Sequence, residues 1–315
     1  MPDQIDKSTE IKRQLEALRK SGHGGYIDFQ RLLTRYAIER FLYRLGRSAY
    51  EGSFVLKGAM LLAVYTPSDF RSTRDVDFQV YGEHDPASIT RALKVICDIA
   101  FDDGITYSPS GITVAEAGHD REYPGYEAKI PARLGEAKCD VMLDIGFGEA
   151  VTPAPVRVVY PTLFQMPNPQ IRAYPLETAI AEKFEAIVKL GMSNSRLRDY
   201  HDLWHFAGTC RINGKTLRDA VEATFSRRGT TIPSVIPVGL GDEFYASKKK
   251  KSDWTATLKR LALKKGLSLE DVCEMAVQLV MPVAKAIAYK ETYDLTWING
   301  HWEATPGEVA IPVVE

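Results

Sequence analysis

The sequence has no apolar stretch long enough to cross a membrane. A spanning helix needs about 20 apolar residues, and the most apolar late segment, Cys273 to Tyr289, is interrupted by charged residues and by Pro282. The amino-terminal residues MPDQIDKSTE are polar and contain no apolar signal core. We therefore expect a cytoplasmic protein without a membrane partner.

Cysteine is scarce, with four residues in a chain of 315. They are far apart and form no CxxC pair, which argues against a disulfide framework or a zinc site. We expect reduced and mostly buried thiols.

Neither sign of charge is in excess. The chain has 40 Lys and Arg against 41 Asp and Glu, so its net charge is close to zero. A wholly basic surface is excluded, and a nucleic-acid partner would have to meet a local basic patch.

Residue periodicity divides the chain into an α/β half and a helical half. Helical spacing covers residues 8–20, 28–46 and 86–101, and strand patterns cover 53–56, 74–81, 126–130, 138–145 and 156–159. A cluster of prolines follows, and beyond Tyr174 the pattern is helical nearly to the end. The predicted domains are residues 1–165 and 166–315.

Asp75 and Asp77 are the first candidates for chemistry. Alternation along their strand places both side chains on one face, with Cα atoms about 6.5–7 Å apart. Two anions so close repel one another unless a cation lies between them. Mg²⁺ or Mn²⁺ binds carboxylate oxygens together with substrate phosphates, so the pair favours a metal site that acts on a nucleotide. The alternative is a solvated strand face.

A third carboxylate lies on the strand 138–145. Asp140 and Asp144 share a face, and either could complete a two-metal site if this strand neighbours Asp77. Glycines 146 and 148 suit a strand end that opens toward a ligand, so we favour Asp144. The alternatives are a surface acid at 140 and a turn-forming acid at 144.

Lys57 and Gly58 lie between a predicted strand and a predicted helix that begins at Ala59. The unpaired N–H groups at a helix start favour a phosphate, and Lys57 adds a mobile positive charge. An ordinary tight turn is the alternative, but the position shortly before Asp75 favours phosphate binding.

Lys183 lies within the apolar stripe of a predicted helix. A lysine directed into a core costs free energy unless it is paired, and Asp199 and Asp202 on the next helix are available partners. Two roles stay open. Lys183 contacts nucleotide phosphates while Asp199 orients it or takes part in acid–base chemistry, or the Lys183–Asp199 pair braces two helices.

Residues 248–251 are a run of four lysines. Such a run most often forms a solvated loop. Contact with an RNA backbone is the alternative.

The motifs together resemble the AbiEii/AbiGii nucleotidyltransferase toxins, which include the MenT toxins. The resemblance rests on RLLTRYAIERFLYRLGRS, FVLKGAMLLAVYT and RSTRDVDF in the first half, and on LETAIAEKFEAIVKLG, SRLRDYHDLW and LGDEFYASKKKKSDW in the second. These motifs occur in the expected order between about residues 28 and 265, which is more specific than any one of them.

This resemblance implies a polymerase-β-like minimal nucleotidyltransferase core with a mixed sheet and amino-terminal helices in residues 1–165, followed by a helical domain. It also implies transfer of a nucleotide from an NTP, with release of pyrophosphate, to the 3′ acceptor end of tRNA. Such transfer inhibits translation and belongs to phage defence, and a cognate antitoxin neutralises it. An acceptor that is a protein or small molecule, or a non-catalytic nucleotide-binding protein, is the alternative.

The resemblance also assigns residues by position. Asp75 and Asp77 match the metal-binding acids, with Asp144 as the expected third ligand. The expected nucleotide-binding residues are Lys57, Gly58, Ala59, Arg74, Lys183 and Arg196, and Asp199 matches the motif-four aspartate. Two positions depart from the pattern, because Ala59 offers no hydroxyl to a phosphate and Arg198 stands where lysine is common.

Overall fold

A mixed β-sheet forms the centre of the first half of the chain. The computed structural model describes residues 6–21, 28–66, 75–83, 85–118, 125–147, 151–261 and 266–304. Packing divides the chain into two compact units, Met1–Tyr174 and Pro175–Glu315. The predicted boundary near residue 165 precedes a strand, Gln170–Ala173, that pairs within the first unit.

The first unit contains four helices and eight strands in its described residues. In chain order they are α1 Lys7–Ser21, α2 Phe29–Leu45, β1 Phe54–Lys57, α3 Leu61–Tyr65, β2 Asp75–Val80, α4 Pro86–Cys97, β3 Ile105–Tyr107, β4 Thr113–Glu116, β5 Gly125–Leu134, β6 Ala137–Phe147, β7 Val156–Val159 and β8 Gln170–Ala173. The sheet order is β3-β5-β6-β2-β1-β8-β7, and β4 pairs with β5. The centre of the sheet is β6-β2-β1, in which β2 runs parallel to β6 and antiparallel to β1.

Alternation along the central strands separates an apolar face from a polar face. Val76 and Phe78 of β2 and Leu143 of β6 are buried, because their side chains point away from Asp75, Asp77 and Asp144. Helix α2 packs on the same sheet through β6 and β8. The apolar core therefore holds the strands rigid while their polar face carries charged residues.

Helix α2 is buried along most of its length, and two of its buried charged residues, Glu39 and Arg44, form ion pairs. Every residue from Tyr36 to Leu45 is buried. Arg44 donates two hydrogen bonds to Asp103, at 2.6 and 3.1 Å, and Glu39 accepts one from Arg35 at 3.0 Å. Such pairing is what makes buried charge tolerable.

The second unit is mainly helical. Its elements are α5 Leu176–Leu190, α6 Leu197–Thr209, β9 Ile212–Asn213, α7 Gly214–Arg228, α8 Asp242–Ala246, α9 Lys248–Arg260, α10 Leu269–Ala288, β10 Leu295–Ile298 and β11 His301–Ala304. In the described parts of the chain, no helix combines the length and apolar character that a bilayer crossing requires.

A three-stranded sheet, β11-β10-β9, interrupts the helical pattern predicted beyond Tyr174. Its hairpin turn is Asn299–Gly300, with φ values of 50° and 89°. An Asn-Gly pair between strand-forming residues is a strong hairpin signal. The prediction of helix nearly to the end was wrong at this point.

Candidate active site

Three adjacent strands align Lys57, Asp77 and Asp144. The antiparallel pairing of β1 with β2 sets Lys57 opposite Asp77, and the parallel pairing of β2 with β6 sets Asp77 beside Asp144. Residues in register project from the same face, and neighbouring strands are about 4.8 Å apart. One lysine and two aspartates are therefore immediate neighbours across the sheet.

Glu127 extends this alignment by one strand. It lies on β5, paired with Asp144, and is exposed. Lys57, Asp77, Asp144 and Glu127 are called the polar row below. Sequence reasoning missed Glu127, although a signal was present: the two-residue turn after Leu134 is a hairpin pattern whose register leads back to this pair.

Asp75 lies on the same face as Asp77, at the start of β2. It is exposed and pairs with Met142 of β6 across the sheet. It therefore lies two residues along β2 from the polar row. Arg74, which was expected to bind the nucleotide, lies outside the described residues.

Gly58 packs directly against the carboxylate of Asp77. Its φ is +67°, and a Cβ placed on it would lie 2.1 Å from Oδ2 of Asp77. Both the left-handed backbone and the close approach require glycine. The turn Gly58–Met60, which includes Ala59, then leads into α3. This turn and the polar row are thus in contact.

Lys57 extends across the polar face toward β6. A Cβ on Gly146 would lie 3.2 Å from Nζ of Lys57 and 3.6 Å from Oε1 of Gln79. Gln79 is fully buried. The lysine ammonium therefore lies one step along the strands from Asp77 and Asp144, in space that Gly146 leaves open. Sequence reasoning assigned no role to Gln79 and placed Gly146 after the strand, whereas it lies inside β6.

Asp140, the other candidate third acid, is a surface residue. It pairs with Pro131 and forms an ion pair with Lys129 at 2.9 Å, in which both side chains are more than 40% exposed. Asp144, not Asp140, is the acid beside Asp77.

Carboxylate oxygens suit a hard divalent cation, so the chemistry of the donor set fits Mg²⁺ or Mn²⁺. Within the described residues, no group of three or more His, Cys, Asp or Glu side chains is already arranged around one metal position. Adjacent carboxylates repel when no cation lies between them.

Lys183 of the second unit is held by two aspartates. Its Nζ lies 2.6 Å from Oδ1 of Asp199 and 2.9 Å from Oδ2 of Asp202, and Nε of Arg196 lies 3.2 Å from Oδ2 of Asp199. Burial alone would lower the pKa of Lys183, but the charges of Asp199 and Asp202 outweigh it and raise the pKa. Both predicted partners are thus engaged, and Lys183 is charged.

Asp199 and Asp202 lie on one face of α6, because they are three residues apart along the helix. Arg196 occupies the position just before α6, and its side chain is 61% exposed. It is therefore the cation of this cluster that solvent and ligands reach most easily.

An open cavity of about 840 Å³ lies beside the loop that follows β2. Its described lining contains none of the predicted site residues. Gly82 and Glu83, which line it, follow the opposite end of β2 from Asp75. The polar row is an open face of the sheet and not the floor of this cavity.

Comparison with known proteins gives a family and a fold. A family model described as nucleotidyl transferase AbiEii toxin, type IV toxin–antitoxin system, matches residues 40–275. Among solved structures, MenT4, a nucleotidyltransferase toxin from Mycobacterium tuberculosis H37Rv, superposes with a TM-score of 0.51 at 16% identity, over 89% of this chain and 99% of that chain. The likeness confirms the predicted fold class, a nucleotidyltransferase core with a mixed sheet and a helical carboxy-terminal region.

Two structures from Helicobacter pylori are similar as well. One is a candidate nucleotidyltransferase, with a TM-score of 0.49 and 17% identity over 84% of this chain and 99% of that one. The other is JHP933, with a TM-score of 0.48 and 17% identity over 83% of this chain and 96% of that one. No curated protein matches the sequence.

Proposed function

We propose that this chain, which belongs to the AbiEii nucleotidyl transferase toxin family, uses its polar row to transfer a nucleotide from an NTP to the 3′ acceptor end of tRNA. Membership makes it a nucleotidyltransferase toxin of the toxin–antitoxin class. The observation that carries the proposal is the position of Asp77, which lies between the Gly58 turn and Asp144.

In this proposal Asp75, Asp77 and Asp144 hold Mg²⁺ or Mn²⁺. The bound cation would neutralise the charge that develops on the α-phosphate and on the departing pyrophosphate. The like charges of the polar row are a reason to expect such binding, since a divalent cation relieves their repulsion.

The remaining residues bind and orient the nucleotide. The Gly58 turn offers the backbone N–H groups of Gly58 and Ala59, and Lys57 adds a positive charge on the same face. Lys183 and Arg196 are assigned to the phosphates, as is Arg74, and Asp199 holds Lys183 in its charged form.

The reaction is an in-line displacement. A hydroxyl oxygen of the acceptor forms a bond to the α-phosphorus and releases its proton to solvent. The bond between the α-phosphorus and the oxygen that bridges to the β-phosphate breaks, and pyrophosphate leaves with that electron pair. Modified tRNA no longer serves translation in the cytoplasm, and a cognate antitoxin counteracts the effect. We place this activity in phage defence.

The test is transfer of label from each radioactive NTP to total RNA, with RNA-stripped extract incubated in parallel. We expect wild type to label tRNA, and Asp77→Asn or Asp75→Ala to reduce labelling by a factor on the order of 100 or more, since each removes a group that stabilises transition-state charge.

Asp140→Asn is the matched control, because it neutralises a surface acid on the same strand as Asp144 and should retain activity. Full activity of Asp77→Asn would refute the mechanism. Label confined to protein would replace tRNA by a protein acceptor. Absence of both labelling and metal-dependent NTP binding would leave a scaffold without catalysis.

A further inference from the structure

Helix α9 presents a solvent face that carries cations and small neutral side chains. Its exposed residues are Lys248, Lys249, Lys251, Ser252, Thr255, Ala256, Lys259 and Arg260. At 100° per residue, positions 248, 251 and 259 fall on one side of the helix, over a length of about 16 Å. The prediction of a solvated loop at the lysine run is wrong, because the run forms the first turn of this helix.

Most of these cations are not neutralised within the protein. The acid of the helix, Asp253, forms an ion pair with Lys249 at 2.8 Å. The other four exposed cations have no ion pair with any residue in the described ranges. Surface helices usually combine charges of both signs at i, i+4 spacing, so this uniform face is unusual.

The opposite side of α9 is anchored, which fixes the direction of the basic side. Nζ of Lys250 donates a hydrogen bond to the carbonyl of Asn194 at 2.6 Å and lies 4.8 Å from the ring centre of Phe244. Nε1 of Trp254 donates to the carbonyl of Leu267 at 2.9 Å. The helix therefore cannot turn its exposed lysines inward.

Stability does not account for the lysines at the start of α9. The first turn of a helix carries partial positive charge, so Lys248 and Lys251 cost roughly 0.3–1 kcal/mol each, whereas Lys259 and Arg260 lie in the last turn, where cations are favourable. The chain as a whole has a net charge of −1, so the cations of α9 are not part of a general excess. A face whose exposed charges are all positive, and whose first-turn lysines are costly, suits a partner that is uniformly negative.

We infer that the α9 basic face binds the phosphate backbone of RNA. The face is defined as Lys248, Lys251 and Lys259, together with Arg260, which lies about 100° around the helix from Lys259 at its carboxy-terminal end. The inference deepens the proposed function, on which it rests for the identity of the RNA. Lysine, arginine, serine and threonine are the side chains that contact phosphates, and Ser252 and Thr255 lie among the cations. The centre of a protein interface is enriched in aromatic residues and depleted of lysine, whereas the exposed residues of α9 include four lysines and no aromatic residue.

The test compares two variants of the full chain. In the first, the four residues of the α9 basic face are changed to Gln. In the second, the matched control, four other exposed cations of the same unit are changed to Gln: Arg211, Lys215, Arg227 and Lys285. Like the first set, these have no ion pair with a described residue, so both variants lose the same charge.

Binding of unfractionated tRNA is measured by filter retention at several salt concentrations, together with the KM for tRNA in the labelling assay. Each lost phosphate contact should lower the slope of log K against log salt by about 0.7–0.9, so four contacts lower it by about 3 and weaken binding at least about tenfold in 0.1 M salt. The control should bind as wild type does, and both should keep the wild-type KM for NTP.

Equal slopes for the two variants would overturn the inference. So would intact tRNA binding in an α9 variant that its antitoxin no longer neutralises, because the face would then belong to a protein partner. If wild type binds tRNA through α9 but transfers no label to it, the proposed acceptor fails and the RNA-binding face stands. If wild type labels tRNA and the α9 variant does so with unchanged KM, only the inference fails.

Discussion

Gly58→Ala separates the chemical role of the glycine turn from its effect on folding. Alanine at this position meets two costs. A φ of +67° puts a non-glycine residue in the left-handed region, which costs about 1–2 kcal/mol. In addition, the new Cβ would lie 2.1 Å from Oδ2 of Asp77, whereas ordinary contact begins at 3.4 Å, so the carboxylate must retreat by the difference, about 1.3 Å.

The two costs should appear in different measurements. The strain lowers the melting temperature by about 2–4 °C per kcal/mol for a domain of this size. A displacement of about 1 Å at a catalytic group reduces the rate by a factor on the order of 100. We therefore expect Gly58→Ala to fold, to melt a few degrees lower, and to lose nearly all nucleotide transfer.

Gly229→Ala is the matched control. Gly229 has a nearly identical φ of +62°, but no atom lies within 4 Å of a Cβ placed there. It should show the same loss of thermal stability and keep full transfer activity. If Gly58→Ala retained activity while melting like Gly229→Ala, Asp77 would not depend on the space beside Gly58, and the reasoning would be refuted.

Three further predictions concern Gly146 and the ion pairs of Lys183. Gly146→Ala should raise the KM for NTP, because its Cβ would lie 3.2 Å from Nζ of Lys57 and would displace the ammonium group. The increase should be up to about tenfold, which corresponds to the loss of roughly one charge-assisted hydrogen bond to the nucleotide. An unchanged KM in steady-state kinetics would contradict this. Asp202→Asn should lower the free energy of unfolding in urea by about 1.5–3 kcal/mol, since it removes a partner 2.9 Å from Lys183, whereas Asp219→Asn, at an exposed pair, should change it by less than about 1 kcal/mol. The folded pKa of Lys183 is raised above its ordinary value of 10.5, so its ion pairs contribute fully to stability below that pH and lose this contribution as the pH rises through the folded pKa. Between pH 9 and pH 12, the urea midpoint of wild type should therefore fall more steeply than that of Asp202→Asn. Equal slopes of urea midpoint against pH would contradict the pairing of Lys183 with Asp202.

Local patterns in the sequence were enough to predict which residues share a face of a strand or helix, but not which strands lie next to one another. Alternation along β2 predicts that Asp75 and Asp77 share a face, and they do. The parallel pairing that sets Asp144 beside Asp77 joins strands more than sixty residues apart, and no local pattern specifies it. The preference for Asp144 over Asp140 rested on the glycines that follow, whereas its position comes from strand register.

The role of Gly58 shows a second limit. A glycine between a strand and a helix predicts a phosphate-binding turn, which stays a prediction. The close approach of Asp77 is a tertiary contact that the residue pattern around Gly58 does not contain. The lysine run at 248–251 was interpreted apart from Trp254, although positions 250, 254 and 257 have the spacing of a buried helical stripe.

The polar row also has an evolutionary consequence. Three acids lie on adjacent strands, and like charges repel when no cation lies between them. We therefore expect substitutions such as Asp144→Asn to stabilise the ion-free fold while they remove its chemistry. A lineage freed from selection for toxicity would drift toward neutral residues here first. The charge at these few positions is thus a simple criterion for separating active members of the family from members that keep the fold without the activity.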